Sequence, residues 1–193
     1  TTHAVDAFSL GATLHARDGV ASAKALELAN VVDRIGGGDA FDAECRDRFL
    51  DAHHAAARRE HAHWMDDAEG ALALLILLDQ IPRNVFRGSG HAFASDGLAR
   101  QYATQALAAG FDAASEPELR MFFYLPFEHS EDMADQDRAV ELFAALGNDN
   151  LLAYANAHRD VIARFGRFPH RNAALGRSNT PDEQAWLDAG GGF

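Results

Sequence analysis

The chain has 193 residues, 48% of them apolar, which is enough for one hydrophobic core, and its single cysteine, Cys45, excludes an intrachain disulfide. Its 29 acidic and 17 basic residues give a net charge of −12, which opposes binding to nucleic acid or anionic lipid. No apolar run approaches the ~20 residues that a membrane span requires. We therefore predict a single cytoplasmic domain without a nucleic-acid or membrane partner.

Helices are predicted throughout, because no segment alternates apolar and polar residues over a length typical of a strand. Residues 1–38 are the least informative part, with one helix predicted from Ala21 to Ile35 before three glycines. A long helix follows from Asp39 to about Trp64. It carries one apolar stripe at helical spacing, formed by Phe41, Cys45, Phe49, Ala52 and Ala56.

The stretch from Gly70 to Gln80 is apolar on every side, which predicts a central buried helix that Pro82 ends. The next helix is predicted to begin after Ser95 as N-cap and to end near Gly110. A short helix follows, with Ser115 and Glu118 as its capping box and Pro126 after its end.

Three helices complete the prediction. Ser130 is predicted to cap a helix that runs to Gly147, and the helix from Asn150 to Phe165 should stop at Gly166. Thr180, Pro181 and Glu183 have the order of a capping box that begins a last helix through Leu187. The fold class is thus all-α, a single domain of about seven or eight helices, arranged as an irregular bundle or as stacked helical hairpins.

Polar residues concentrate where three of these helices end. The clusters are Asp79-Gln80-Ile81-Pro82-Arg83-Asn84, Pro126-Phe127-Glu128-His129-Ser130-Glu131 and Phe168-Pro169-His170-Arg171-Asn172. The first and third resemble a degenerate repeat, since each has a proline, then Arg-Asn, then a further arginine at Arg87 or Arg177. Side chains at helix ends can point into a shared cleft, so the sequence predicts a site there.

Imidazole and carboxylate groups in such a cleft suit proton transfer, which makes Glu128, His129 and His170 the candidate catalytic residues. Guanidinium, amide and carboxylate groups would hold the substrate. These candidates are Asp79, Arg83, Asn84, Arg167, Arg171, Asn172 and Arg177. The arginines that crowd the last part of the chain could bind a small anion, or they could simply pair with neighbouring Asp and Glu.

Other polar residues are interpreted as structural. His158 lies on an apolar stripe and is more typical of a satisfied core histidine than of a ligand. Glu60 and His63 have the Glu-x-x-His spacing of di-iron bundles but lack the second such motif, so they are taken as a solvated face. Phosphate loops, nucleophile elbows and zinc motifs are missing from the sequence. No metal and no cofactor are therefore predicted.

The three polar clusters, followed by Leu175-Gly176-Arg177 and Thr180-Pro181-Asp182-Glu183, resemble in residues and order the bacterial family called domain of unknown function 924. The resemblance runs from about Phe41 to the end, so residues 41–193 form a family-like core. It implies an all-α, tetratricopeptide-like fold and no established activity. Residues 1–40 depart from the family, because Ala7-Phe8-Ser9-Leu10 stands where an aromatic Phe-Trp-Phe segment is expected.

Two functions fit these observations. The first is an enzyme or binder whose pocket of Arg, His and Glu acts on a small anionic molecule. The second is a tetratricopeptide-like module that binds a peptide or a second copy of the chain, without catalysis. The first predicts one concave polar pocket, whereas the second predicts exposed apolar surface.

Overall fold

The computed structural model describes residues 38–193, and every regular element in that range is helical, which confirms the all-α prediction. The helix predicted over Ala21–Ile35 lies outside the described residues. The α-helices, numbered in chain order, are α1 (Asp39–Ala57), α2 (Ala68–Leu75), α3 (Ile81–Val85), α4 (Asp96–Ala108), α5 (Phe111–Ala114), α6 (Met121–Glu128), α7 (Met133–Leu146), α8 (Asp149–Phe165) and α9 (Pro181–Asp188). Single turns of 3₁₀-helix lie at Ala62–Asp66, Gly90–Phe93, Pro117–Leu119 and Pro169–Arg171.

The core is organised around α2, which continues through a π-helix, Ile76–Gln80, into α3. Every residue from Gly70 to Ile81 is buried, as the apolar run of the sequence predicts. Helix α1 packs against α3, while α4 and α6 pack against α2. Helix α7 lies between α6 and α8. None of the helices in this part of the chain combines the length and apolar character that a bilayer crossing needs.

The first described helix ends at Ala57 and not near Trp64. Arg59 adopts a positive φ of 64°, which no helix continues through, and a 3₁₀ turn follows. The ring of His61 then stacks on that of Trp64 at 4.2 Å between centroids. Gly70 makes room for this turn, because a Cβ there would lie 2.2 Å from the carbonyl oxygen of Trp64.

The two prolines predicted to end helices lie within them. Pro82 stands in the first turn of α3, where a missing N–H costs little because the chain has just changed from π to α hydrogen bonding. Pro126 lies inside α6, between the buried rings of Phe123 and Phe127. The burial of these rings outweighs the one hydrogen bond that a proline removes.

Three serines predicted as caps act differently. Ser95 precedes α4, but its hydroxyl donates to the carbonyl of Leu78, and Ser115 donates to that of Phe111. The N-cap of α7 is Asp132, which accepts from two backbone amides. Each serine finds a partner within the packed fold, so the local cap is not formed.

The predicted glycine stops and the last capping box are confirmed. Gly147 and Gly166 end α7 and α8 in the left-handed conformation. Thr180 and Glu183 form the reciprocal capping box of α9, with Pro181 in its first turn.

Candidate functional site

All three polar clusters of the sequence contribute to one buried group, which we call the central polar cluster. Its members are Asp79, Arg83, Asp96, Glu128, His129, His158, His170 and Arg171. They come from the π-helix, from α3, from the start of α4, from the end of α6, from α8 and from the 3₁₀ turn Pro169–Arg171. π-Helical turns are frequent at functional sites, and this one carries the carboxylate at the centre of the cluster.

Asp79 is 1% exposed and holds the cluster together. Its two carboxylate oxygens lie 2.8 and 3.0 Å from Nδ1 of His129, and Arg83 approaches within 3.4 Å. Burial alone would raise the pKa of Asp79, but the charges of His129 and Arg83 and the hydrogen bonds from His129 and Gln80 lower it to about 2. An ionised Asp79 holds the proton of His129 on Nδ1, so that Nε2 is the acceptor nitrogen whenever the ring is neutral.

Arg83 is anchored to the fold by several bonds. Both of its terminal nitrogens donate to the carboxylate of Asp96, at 2.8 and 3.0 Å, and one also donates to the carbonyl of Ala92 at 2.6 Å. Burial opposes the charge of Arg83, but Asp79 and Asp96 outweigh burial and raise its pKa. Arg83 is therefore a structural cation whose charge is balanced inside the protein.

Arg171 is in a different situation. It is 6% exposed, and its guanidinium lies 4.6 Å from the ring centre of Phe93 and 4.4 Å from that of Phe168. Its ion pair with Asp96 is long, 3.5 Å, and its Nε is buried without a hydrogen-bond partner. Burial and the charge of Arg83 lower the pKa of Arg171 to about 10. Among the described residues, nothing compensates this cation fully.

His170 has the other unpartnered nitrogen of the cluster. Its Nδ1 is buried and has no hydrogen-bond partner in the described part of the chain. Burial and the charge of Arg171 lower the pKa of His170 to about 4, so the ring is neutral at neutral pH. Two adjacent residues thus each present an unsatisfied polar atom.

Glu128 and His158 form a buried pair, 4% and 7% exposed, with 3.2 Å between Oε1 and Nδ1. Burial and the carboxylate of Asp79 raise the pKa of Glu128 to about 8. Burial lowers the pKa of His158 to about 3, although the bond to the carbonyl of Tyr154 opposes this. His158 is a core histidine, as its apolar stripe indicated, but it faces the cluster and the ring of Phe193 stacks on it at 3.7 Å.

The remaining predicted substrate-binding residues have partners inside the fold. Arg177 forms two bonds to Glu131 and donates to Asn172, while Arg167 forms two bonds to Glu183. Asn84 accepts from Arg87, which pairs with Asp42. In both copies of the degenerate repeat, the later arginine therefore donates to the asparagine and pairs with an acid more than 40 residues away, Asp42 or Glu131.

Ser95 also lines a separate hollow of about 230 Å³. Its wall includes His53, His54, Phe86, His91 and Leu98. None of the residues predicted for the site lines it.

Two members of the central polar cluster were not predicted. Asp96 follows the N-cap position of α4, where an acid is usual, so nothing in the sequence marks it as a partner of two arginines. His158 stood out as the one polar residue on an apolar stripe. That anomaly is the signal that could have placed it in the site.

The comparisons with known proteins give a family and one solved structure. The model of a bacterial family of proteins of unknown function, DUF924, matches residues 28–191. A solved structure of a protein of unknown function from Agrobacterium tumefaciens is 48% identical, with a TM-score of 0.77, and the match covers 86% of this chain and 99% of that one. No curated protein matches the sequence. The chain belongs to the DUF924 family of bacterial proteins of unknown function.

Proposed function

We propose that the protein is an enzyme or binder of a small anionic molecule, which it holds at Arg171 and beside which His170 acts as the group that takes up and returns a proton. The observation that carries the proposal is that two adjacent residues each have a buried atom with no hydrogen-bond partner among the described residues, Nε of Arg171 and Nδ1 of His170. Buried polar groups in native proteins are nearly always hydrogen-bonded, so such exceptions indicate a missing ligand or a chemical role.

Arg171 suits anion binding because its guanidinium is fixed and incompletely paired. The rings of Phe93 and Phe168 hold it in place, and Asp96 is its distant partner. The planar fork of a guanidinium matches the oxygens of a carboxylate or a phosphate. An anion here would satisfy Nε and relieve the repulsion from Arg83 that helps to lower the pKa of Arg171.

His170 suits proton transfer because its ring is neutral and one nitrogen is unengaged. The charged groups that act on it are Arg171, Arg83 and Glu131, with His129 contributing least. An anion held by Arg171 would add negative charge beside the ring, which would raise the pKa of His170 from about 4 towards neutrality. A base whose pKa moves towards neutrality on ligand binding is well placed for acid–base chemistry.

The proposed binding set is smaller than the one predicted from sequence. Arg167, Arg177, Asn84 and Asn172 already have internal partners, so we assign them to holding the site in shape. Asp79 and Arg83 hold the other side chains of the central polar cluster in their orientations. The interaction-module alternative, a tetratricopeptide-like arrangement and a peptide or homodimer partner stay predictions, as does the cytoplasmic location.

The first experiment measures the melting temperature with increasing inorganic phosphate, at constant ionic strength against sodium chloride. Phosphate raises the melting temperature of most proteins slightly because it is excluded from their surface. The informative quantity is therefore the difference in this rise between variants. We expect a saturable rise for the wild type that is lost in Arg171→Met and kept in Arg159→Met, whose guanidinium pairs with Asp137 at the surface. Equal rises in all three proteins would contradict the proposal.

The second experiment measures proton uptake. Calorimetric titration with phosphate at pH 6, in buffers of different ionisation enthalpy, should reveal uptake of a fraction of a proton per anion by the wild type. His170→Gln should bind phosphate with little or no coupled uptake, because the group whose pKa rises is gone. If that variant takes up as many protons as the wild type, another group carries the proton and His170 has no such role.

A further inference from the structure

We propose that Glu128, His129 and His158 bind a divalent transition-metal ion of the zinc class, next to the anion site. The three side chains each offer one donor atom, and these atoms all lie within 4.8 Å of one another. Two imidazoles and one carboxylate are a donor set that zinc and its neighbours accept readily. This inference stands on residues other than the two that carry the proposed function.

The geometry needs little adjustment to close around an ion. Donor atoms bound to one zinc ion at about 2.1 Å lie at most about 4.2 Å apart, so the set must contract by an amount on the order of 1 Å. Side-chain rotation supplies movements of this size. His129 and His158 already face each other, with 6.2 Å between their ring centres.

Asp79 prepares His129 for this role. Its carboxylate accepts the Nδ1 proton of His129 at 2.8 Å, so the lone pair on Nε2 is available to a metal. Histidine ligands in metalloproteins usually have such a carboxylate or carbonyl behind them, which fixes the ring and increases its basicity. His158 has the second kind of partner, since its Nδ1 lies 2.9 Å from the carbonyl oxygen of Tyr154.

Glu128 supplies the second argument, because it is a buried carboxyl group with no cation beside it among the described residues, so that its ionised form is uncompensated. It is 4% exposed, and its polar side-chain neighbour among the described residues is His158, a ring that burial keeps neutral. The carboxylate of Asp79 is also close enough to repel it. A divalent ion would compensate Glu128 directly, which no arginine of the cluster does.

Three protein ligands leave at least one coordination position for water or substrate, as in catalytic zinc sites. The anion proposed at Arg171 would then lie beside the metal. In this arrangement Glu128 and His129 act as ligands, and the proton-transfer role predicted for them from sequence passes to His170.

The test uses Co²⁺ and Zn²⁺ with protein first freed of metal by a chelator. Calorimetry should show one ion bound per chain, and Co²⁺ should give a visible absorption spectrum that Zn²⁺ displaces. His129→Gln and Glu128→Gln should each weaken metal binding by at least tenfold. Asp79→Asn should weaken it less, because it acts through His129.

His91→Gln is the matched control, since His91 is an exposed imidazole on the separate hollow. It should bind the metal like the wild type. Wild-type metal binding in His129→Gln and Glu128→Gln would overturn the proposal, whatever His91→Gln does, as would the absence of any stoichiometric metal binding by the wild type. Phosphate stabilisation that persists in metal-free protein would show that the anion site stands even where the metal proposal fails.

Discussion

Charge compensation at single residues decides how the central polar cluster works. The charge of Arg83 is balanced by the carboxylates of Asp79 and Asp96, so Arg83 holds its surroundings in a fixed arrangement. Among the described residues, Arg171 has one long ion pair, to Asp96, while Glu131 and Asp79 act on it from further away, and this shortfall makes it the residue that would respond to an added anion. The two arginines therefore have different roles, and the distance from each guanidinium to its nearest carboxylate decides which role it has.

Asp79 gives the sharpest prediction at this scale. Asp79→Asn should lower the free energy of unfolding by about 3 kcal/mol, because it removes the charged partner of a buried cation and of His129. Chemical denaturation followed by circular dichroism measures the change. The control is Asp137→Asn, which breaks the exposed pair with Arg159 and should stay within about 0.5 kcal/mol of the wild type. Similar losses in both variants would mean that the burial of Asp79 has no energetic weight.

At the scale of helices, a helix boundary can be predicted from the sequence where a local rule sets it. It cannot be predicted where tertiary packing sets it. Gly166 and Thr180 end and begin helices through bonds within a few residues, so their roles were predictable. Ser95 and Pro126 depend on partners and packing that only the folded chain provides. The pairing of Asp79 with His129 spans 50 residues, so the sequence placed both in candidate clusters without indicating that they touch.

Helix α9 is tied to the domain by Glu183, which accepts two bonds from Arg167 and closes the capping box with Thr180. The hydrogen bonds from Arg167 and from the backbone of Thr180 lower the pKa of Glu183 from 4.5 to about 2. A lowered carboxylate pKa stabilises the fold above the ordinary pKa, and that stability is lost as the pH falls through the interval between the two values.

We therefore predict that Glu183→Gln makes the free energy of unfolding depend less on pH in the acid range. Between pH 5 and pH 2, by the pKa values of 4.5 and about 2, the wild type should lose stability more steeply than the variant. Denaturant titrations at fixed ionic strength across this range measure the slopes. Glu141→Gln, which alters an exposed carboxylate on α7, should keep the wild-type slope. Parallel curves for the wild type and Glu183→Gln would refute the assignment.

Residues 38–193 contain one large apolar cluster, from Phe41 to Ala155, and a small one formed by Val161, Ile162 and Phe168. The central polar cluster adjoins both, since Asp79 follows Leu78 of the large one in the chain and Phe168 of the small one packs on Arg171 and on His158. Because the site joins the two apolar clusters, we expect them to unfold together as a single domain.

The two tryptophans test this cooperativity. Trp64 is buried in the large cluster, and Trp186 packs against the small one. In urea, the fluorescence midpoint of Trp186→Phe, which reports on Trp64, should equal the circular dichroism midpoint of the same variant, and Trp64→Phe should behave likewise. A fluorescence transition of Trp186 at a lower urea concentration than the loss of helix would contradict a single cooperative unit.

The most direct measurement of the central claim is the resonance of the Arg171 side-chain Nε–H group in ¹⁵N-labelled protein, assigned by comparison with Arg171→Met. A saturable shift of this one resonance on titration with phosphate, with Arg83 unchanged in its pair with Asp96, is the predicted result. An Arg171 resonance that stays still while phosphate binds, or that moves no more than those of surface arginines, would contradict the assignment of the anion site.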